Sequence, residues 1–164
     1  MYRSLLLFLL GFSVHLFAGD TFRVEIRLVE RGANAPAPAD FPDASIPLSA
    51  SLSIKSKESG RYESETPLKL ADVTSNTPTD VPVGVSLQVT PVLDGAKLSY
   101  RVQVTHSVPV FSTRVPSPDS IAEIRSTSVY RSGPFTLGAP VWFSYRIPAS
   151  DKQMYVGLRF DKEP

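Results

Sequence analysis

Apolar and polar residues alternate along this chain in blocks separated by proline, glycine and serine. In FRVEIRLVE, Phe22, Val24, Ile26 and Leu28 fall on one side and Arg23, Glu25 and Arg27 on the other. A period of two over that length predicts a strand with one buried face. The same pattern returns in PLSASLSIKS, where Leu48, Ala50, Leu52 and Ile54 oppose serines. It is strongest in VGVSLQVTPVLDGAKLSYRVQVTHS, residues 83–107. There Val85, Leu87 and Val89 alternate with Ser86, Gln88 and Thr90. Asp94-Gly95 supplies a turn, and Leu98, Tyr100, Val102 and Val104 alternate with Ser99, Arg101, Gln103 and Thr105. Two such runs joined through Asp-Gly predict an antiparallel hairpin, with Val85, Leu87, Leu98 and Val102 in the core.

IAEIRSTSVY, VWFSYRI and MYVGLRF add three more strands, and RYESETPLKLADV, interrupted by Pro67, reads as an edge or broken strand. TSNTPTDVP and PVFSTRVPSPDS read as loops. The prolines at 36, 38, 42 and 47 in RGANAPAPADFPDASIP rule out a helix or central strand over residues 31–47. That segment reads as a solvated connector in preference to a strap across a sheet. The pattern predicts the all-β class: a single antiparallel β-sandwich or small open barrel of about eight strands, most of roughly five to eight residues. With serine, threonine and arginine outward, strands that short do not make a lipid-facing wall.

Composition narrows the function. The N-terminus MYRSLLLFLLGFSVHLFAG has a basic residue at Arg3, an apolar run from Leu5 to Phe17, and Ala18 before Gly19. Asp20, Arg23 and Glu25 end the run before the ~20 apolar residues of a bilayer span. Residues 1–18 are therefore expected to be a signal peptide, and 19–164 one β domain with the proline-rich loop at about 31–47. The chain has no cysteine, which excludes disulfides, thiolate metal sites, a cysteine nucleophile and a lipidated cysteine. A net charge of +1 with both signs interspersed is no nucleic-acid footprint.

Catalytic groups are sparse. Once His15 leaves with the leader, His106 is the only histidine; it reads as a strand-end surface residue, and no G-x-S-x-G accompanies it. Glu63 and Glu65 stand among Lys55, Lys57, Arg61 and Lys69, which reads as a solvated charged edge and not an acid–base pair. No enzyme, metal or cofactor is expected. In VWFSYRI, Val141, Phe143, Tyr145 and Ile147 share one face and Trp142, Ser144 and Arg146 the other. Trp142 and Arg146 are the candidate partner or ligand contacts, set against a Trp that covers the sheet flank with the Arg stacked on it.

DVPVGVSLQVTPVLDGAKLSYRVQV, above all Gly84 to Pro91, resembles the V-G-V-x-L-x-V-x-P strand, turn and second strand of bacterial outer-membrane secretins. RSTSVYRSGPFTLGAP is similar to that family's later S-T-x-V strand, glycine turn and closing L-G-G, through Ser126, Thr127, Val129, Gly133, Leu137 and Gly138; Ala139 stands for the second glycine and Pro140 follows it. FRVEIRLVE resembles the opening strand with its acidic end, Glu30. The likeness extends loosely over residues 22–147 and is specific over 83–104. It implies a secretin-like β domain of the type II/III secretion kind, with the gate-forming region reduced to a loop around residues 55–80.

The expected function is that of a non-enzymatic exported envelope protein, periplasmic or outer-membrane associated, acting in assembly or interaction within a secretion or pilus-type outer-membrane complex. Its partners would be envelope or secretion-complex proteins, copies of itself included, with no nucleic acid and no independent membrane span after leader removal. The alternative is a freestanding periplasmic or extracellular β-sandwich that binds a small ligand, glycan or peptide. Mass spectrometry of the exported protein should find a new N-terminus near Gly19; an intact Met1 in the mature fraction would refute the leader.

Overall fold

The computed structural model describes residues 19–42, 48–70, 79–111 and 121–164. The proposed leader, residues 1–18, lies outside them. The chain forms eight strands: β1 (Thr21–Gly32), β2 (Ser49–Lys55), β3 (Gly60–Leu70), β4 (Thr79–Asp94), β5 (Lys97–Phe111), β6 (Ile121–Pro134), β7 (Pro140–Arg146) and β8 (Lys152–Lys162). They make two antiparallel four-stranded sheets. The first has the order β2-β1-β8-β7 and the second β3-β4-β5-β6. Neither sheet closes into a barrel, so the fold is a sandwich of the all-β class, with no helix among the described residues.

Each sheet turns its apolar parity inward. Phe22, Val24, Ile26 and Leu28 of β1 and Met154, Val156, Leu158 and Phe160 of β8 meet Val85, Leu87 and Val89 of β4 and Tyr100, Val102 and Val104 of β5. Leu98 packs at the margin of this core. Rings fill its centre, with Phe135 stacked on Phe160 at 4.2 Å between centroids and Phe22 edge-on to Phe135 at 5.9 Å.

The strands are longer than alternation alone suggests. Six of the eight run to 11–16 residues, not five to eight, so the argument from length against a barrel-type wall falls. The reason is proline placement. Pro67 lies opposite Pro82, and since neither has an N–H this must be a non-hydrogen-bonded pair. Alternation from that point aims the N–H of odd-numbered β4 residues at β3 and of even-numbered ones at β5. It likewise aims odd-numbered β6 residues at β5. The N–H of Leu93 donating to Ser56 Oγ and that of Phe135 donating to the Leu98 carbonyl agree with this phase. Pro91 then points past the end of β3 and Pro134 off the edge of the sheet, while Pro109 falls at the level of Pro82, beyond the last β4–β5 pair at Gly84 and Ser107, so the strands pass through all three.

Several loop readings change accordingly. Residues 79–82, read as loop, open β4, and β5 continues to Phe111. The region around 55–80, expected as a reduced gate loop, contains β3, an unbroken edge strand. The remainder of the loops around 71–78 and 112–120 lies outside the described residues. Gly84 explains the V-G-V motif: its φ is +128°, and a Cβ there would land on the Ser64 carbonyl oxygen.

Leu87, fully buried, and Ser86, on the outer face, test this register. Leu87→Ala should cost about 2–5 kcal/mol in urea unfolding and Ser86→Ala less than about 0.5 kcal/mol; equal costs would contradict it.

Candidate functional site

The outer face of the first sheet is partly covered, with Arg27 and Tyr155 buried and Arg23, Ser51 and Ser53 exposed. Residues 33–42 cross it as a strap, and the expectation of a solvated connector is overturned for this part; 43–47 lie outside the described residues. Pro38 is buried, the Tyr155 hydroxyl donates to the Ala35 carbonyl at 2.6 Å, and Arg31 donates to the Pro36 carbonyl at 3.1 Å. Proline suits this role because it leaves few donors to satisfy against a covered sheet.

Phe41 is the centre of the cover. Its ring lies 5.1 Å from the Arg27 guanidinium and 5.0 Å from that of Arg159, within cation–π range. Glu25 joins the two arginines, at 3.2 Å from Arg27 and 2.7 Å from Arg159. Arg27, read from alternation as an exposed polar position, is 4% exposed. Its burial is compensated by hydrogen bonds: Nε donates to the Pro42 carbonyl at 2.9 Å, one amino group to the Ile26 carbonyl and the other to Glu25.

Trp142 belongs to the same cluster. It is half-buried, 5.9 Å from Phe41, and its ring lies over Gly157, where a Cβ would approach to 2.6 Å. Arg146 is exposed at the other end of β7, its Nε donating to the Ser150 carbonyl at 3.1 Å. At ~3.4 Å per residue the two are ~14 Å apart along the strand. They share a face but not a contact, and the arginines on the aromatic cluster are Arg27 and Arg159. Phe41 was missed because it lies in a segment without periodicity.

His106 is also placed differently from its surface reading. Since β5 continues to Phe111, the parity of Val102 and Val104 carries His106 inward, where it is 7% exposed. Its Nδ1 is 3.1 Å from the Tyr145 hydroxyl of β7, so the pair joins the two sheets. Burial lowers the His106 pKa from 6.5, opposed by the charge of Glu30, and burial pushes the Tyr145 hydroxyl up. Among the described residues no group of three or more His, Asp or Glu is placed to hold a metal ion. No described helix is long and apolar enough to cross a membrane.

What the second sheet leaves open is its two edges. β3 and β6 each pair on one side only. By the phase set at Pro67 and Pro82, the N–H groups of Arg61, Glu63 and Glu65 on β3, and of Ser126, Ser128, Tyr130 and Ser132 on β6, point away from the sheet. Ion pairs flank these edges, Arg61 with Glu63 and Arg125 with Glu123. Tyr130 is 66% exposed. Its signal in the sequence is that of a single aromatic residue among serines of one parity.

No family model matches this chain, and no curated protein matches it. Among the solved structures that it is similar to are secretins. One is the Salmonella SPI-1 type III secretion injectisome secretin InvG, with TM-score 0.48 and 9% identity over 88% of this chain and 62% of that one. Another is the Klebsiella pneumoniae type II secretion system outer membrane complex of PulD, PulS and the PulC HR domain, with TM-score 0.45 and 11% identity over 88% and 38%. A third is the Pseudomonas aeruginosa type II secretin XcpQ, with TM-score 0.36 and 11% identity over 88% and 56%. The chain thus spans between 38% and 62% of the length of these three.

The His106 pair makes stability pH-dependent. With its folded pKa lowered, His106 binds a proton in the unfolded chain before it does in the native one, so stability is full above about 6.5 and falls as pH drops toward the folded value. The urea midpoint should fall between about pH 7.5 and about pH 5, and less steeply in His106→Gln; equal slopes would remove His106 as the cause.

Proposed function

We propose that this chain is an exported, non-enzymatic secretin-like module that joins a β-rich envelope assembly through the edges of its second sheet. The observation that carries this reading is the pair of long, unpaired edges, 11 residues of β3 and 14 of β6. An edge presents alternate backbone donors and acceptors, and a strand from another chain can satisfy them. The secretin-like stretch at 83–104 and the leader-like N-terminus support placing that assembly in a bacterial envelope. Secretion-complex proteins, or further copies of this chain, are the partners this reading implies. A contact face at Trp142 and Arg146 is proposed beside the edges, with Arg146 as its exposed member and the Trp142 ring reached past Phe41.

The phase of the sheet supplies a test. Glu63→Pro and Ser128→Pro remove donors that point outward, whereas Ser64→Pro removes one aimed at β4. Cross-linking in cells should bring down envelope proteins or further copies with the wild-type chain. The two outward proline variants should keep the wild-type circular dichroism and lose those products. Ser64→Pro should lose the fold itself. A monomer with no cross-linked partner, or outward variants that cross-link as well as wild type, would defeat the edge reading.

A further inference from the structure

The outer face of the second sheet carries a chemistry that edge pairing does not use. Across β4, β5 and β6 the register sets five rows of three outward side chains: Gly84, Ser107 and Ser126; Ser86, Thr105 and Ser128; Gln88, Gln103 and Tyr130; Thr90, Arg101 and Ser132; Val92, Ser99 and Pro134. Only Arg101 among them is charged. A sheet face that merely meets water is ordinarily dressed with lysine and carboxylates of both signs; β3 is dressed that way, with Arg61 beside Gln88 and Glu63 beside Ser86, whereas β4, β5 and β6 are dressed with hydroxyls and amides. Near one end the hydroxyls satisfy one another, Thr105 with Ser128 at 3.2 Å and Ser107 with Ser126 at 2.8 Å.

In the two middle rows, among the described residues, only the Thr90 hydroxyl is so engaged, 2.6 Å from that of Ser59. Gln88, Gln103, Tyr130, Thr90, Arg101 and Ser132 line an open cavity of about 390 Å³. A second cavity of about 720 Å³ shares Arg101 and Ser132 and continues toward the Asp94–Lys97 turn. Each glutamine offers both donors and an acceptor, the hydroxyls offer either, and Arg101 offers a donor fork. No carboxylate lines the first cavity, and none among the described residues pairs with Arg101. The Arg131 guanidinium at its rim donates to the Tyr130 carbonyl at 3.0 Å. Tyr130 stands at the side of this shelf with its ring exposed.

We propose that this shelf binds an acidic oligosaccharide. The Tyr130 ring would receive the C–H face of a sugar, the two amides and the Thr90 and Ser132 hydroxyls would read its hydroxyl groups, and Arg101 would take its carboxylate. A row of three side chains spans ~10 Å across the strands and two rows ~7 Å along them, so the shelf holds one sugar and the adjoining cavity extends the site to its neighbours. A peptide suits it less: protein contacts centre on buried apolar anchors, and the one ring of the shelf, Tyr130, is exposed. Side chains stand out of the sheet while edge donors lie in its plane, so this site is separate from edge pairing and its failure leaves that reading intact.

The test is calorimetric titration of the exported protein with trigalacturonic acid, maltotriose and hexaglutamate. Trigalacturonic acid should bind, maltotriose about tenfold more weakly for want of the carboxylate, and hexaglutamate not at all. Arg101→Gln should bring the two sugars to equal affinity, and added salt should weaken only the acidic one. Tyr130→Ala should weaken both by about tenfold and Tyr130→Phe neither, with circular dichroism unchanged throughout. The proposal is overturned if the wild-type chain does not bind trigalacturonic acid, if Tyr130→Ala binds as well as wild type, or if hexaglutamate binds more tightly than either sugar. Loss of self-association in Tyr130→Ala, in place of lost sugar binding, would assign the face to a second copy and also overturn it.

Discussion

The hydrogen-bond phase of the second sheet is the constraint on which the rest depends. Pro67 and Pro82 face each other across β3 and β4, and two residues without an N–H can do so only at a non-hydrogen-bonded pair. Once that pair is set, the direction of the other N–H groups follows up to the register shift between Val110 and Phe111. Three more prolines become harmless, the strands run long, and the free donors of the edges are assigned to named residues. A one-residue slip would aim Pro67 and Pro82 at partners they cannot serve and turn Leu87 and Val89 to the outside. Sequence chemistry and core burial therefore select the same register.

The outer faces of the two sheets have different fates. That of the first holds Arg23, Glu25, Arg27 and Arg159, charges that ordinarily demand water. Here a proline-rich strap covers much of it, and Phe41 sits against two guanidinium groups that Glu25 holds in place. Burying Arg27 is tolerable only because its guanidinium donates to both carbonyls and a carboxylate. On the outer face of the second sheet the charges stand along β3, where Arg61 pairs with Glu63; β4, β5 and β6 present almost none there, and among the described residues no strap crosses them. Gln88, Gln103, Arg101 and Ser132 stay available there, and that availability separates a candidate site from a covered flank.

Much of this was legible in the sequence. Alternation and turn residues located all eight strands, the third as an edge or broken strand, and the Asp94-Gly95 turn fixed the hairpin. Inward Val85, Leu87 and Val102 followed from parity alone, as did the edge position of β3 from Pro67. Strand ends were not legible, because Pro82, Pro91 and Pro109 break the alternation without ending the strands, each of which keeps a neighbour on its other side. His106 was misplaced for the same reason: its burial depends on β5 continuing past it. Arg27 was misplaced because the strap that covers it is distant in sequence and has no period, and Phe41 carried no signal of its own. The shelf at Tyr130 needed the register between β4, β5 and β6, which assembles three separately ordinary strand faces into one surface.

Edges and face also bear on each other. A strand added to β3 or β6 extends the sheet sideways and leaves the outward side chains where they are, so edge-to-edge addition of copies would repeat the Tyr130 shelf along one continuous surface. At ~4.8 Å per strand, four strands put successive shelves ~19 Å apart. A single open shelf, with one ring and one charge, would hold a sugar weakly. A row of them on a long acidic polysaccharide converts each later contact into an intramolecular one, and the gain is large even when each contact is slight. Sugar binding would then report assembly: a chain with outward proline substitutions would keep its affinity for a short oligosaccharide and lose it for a polymer.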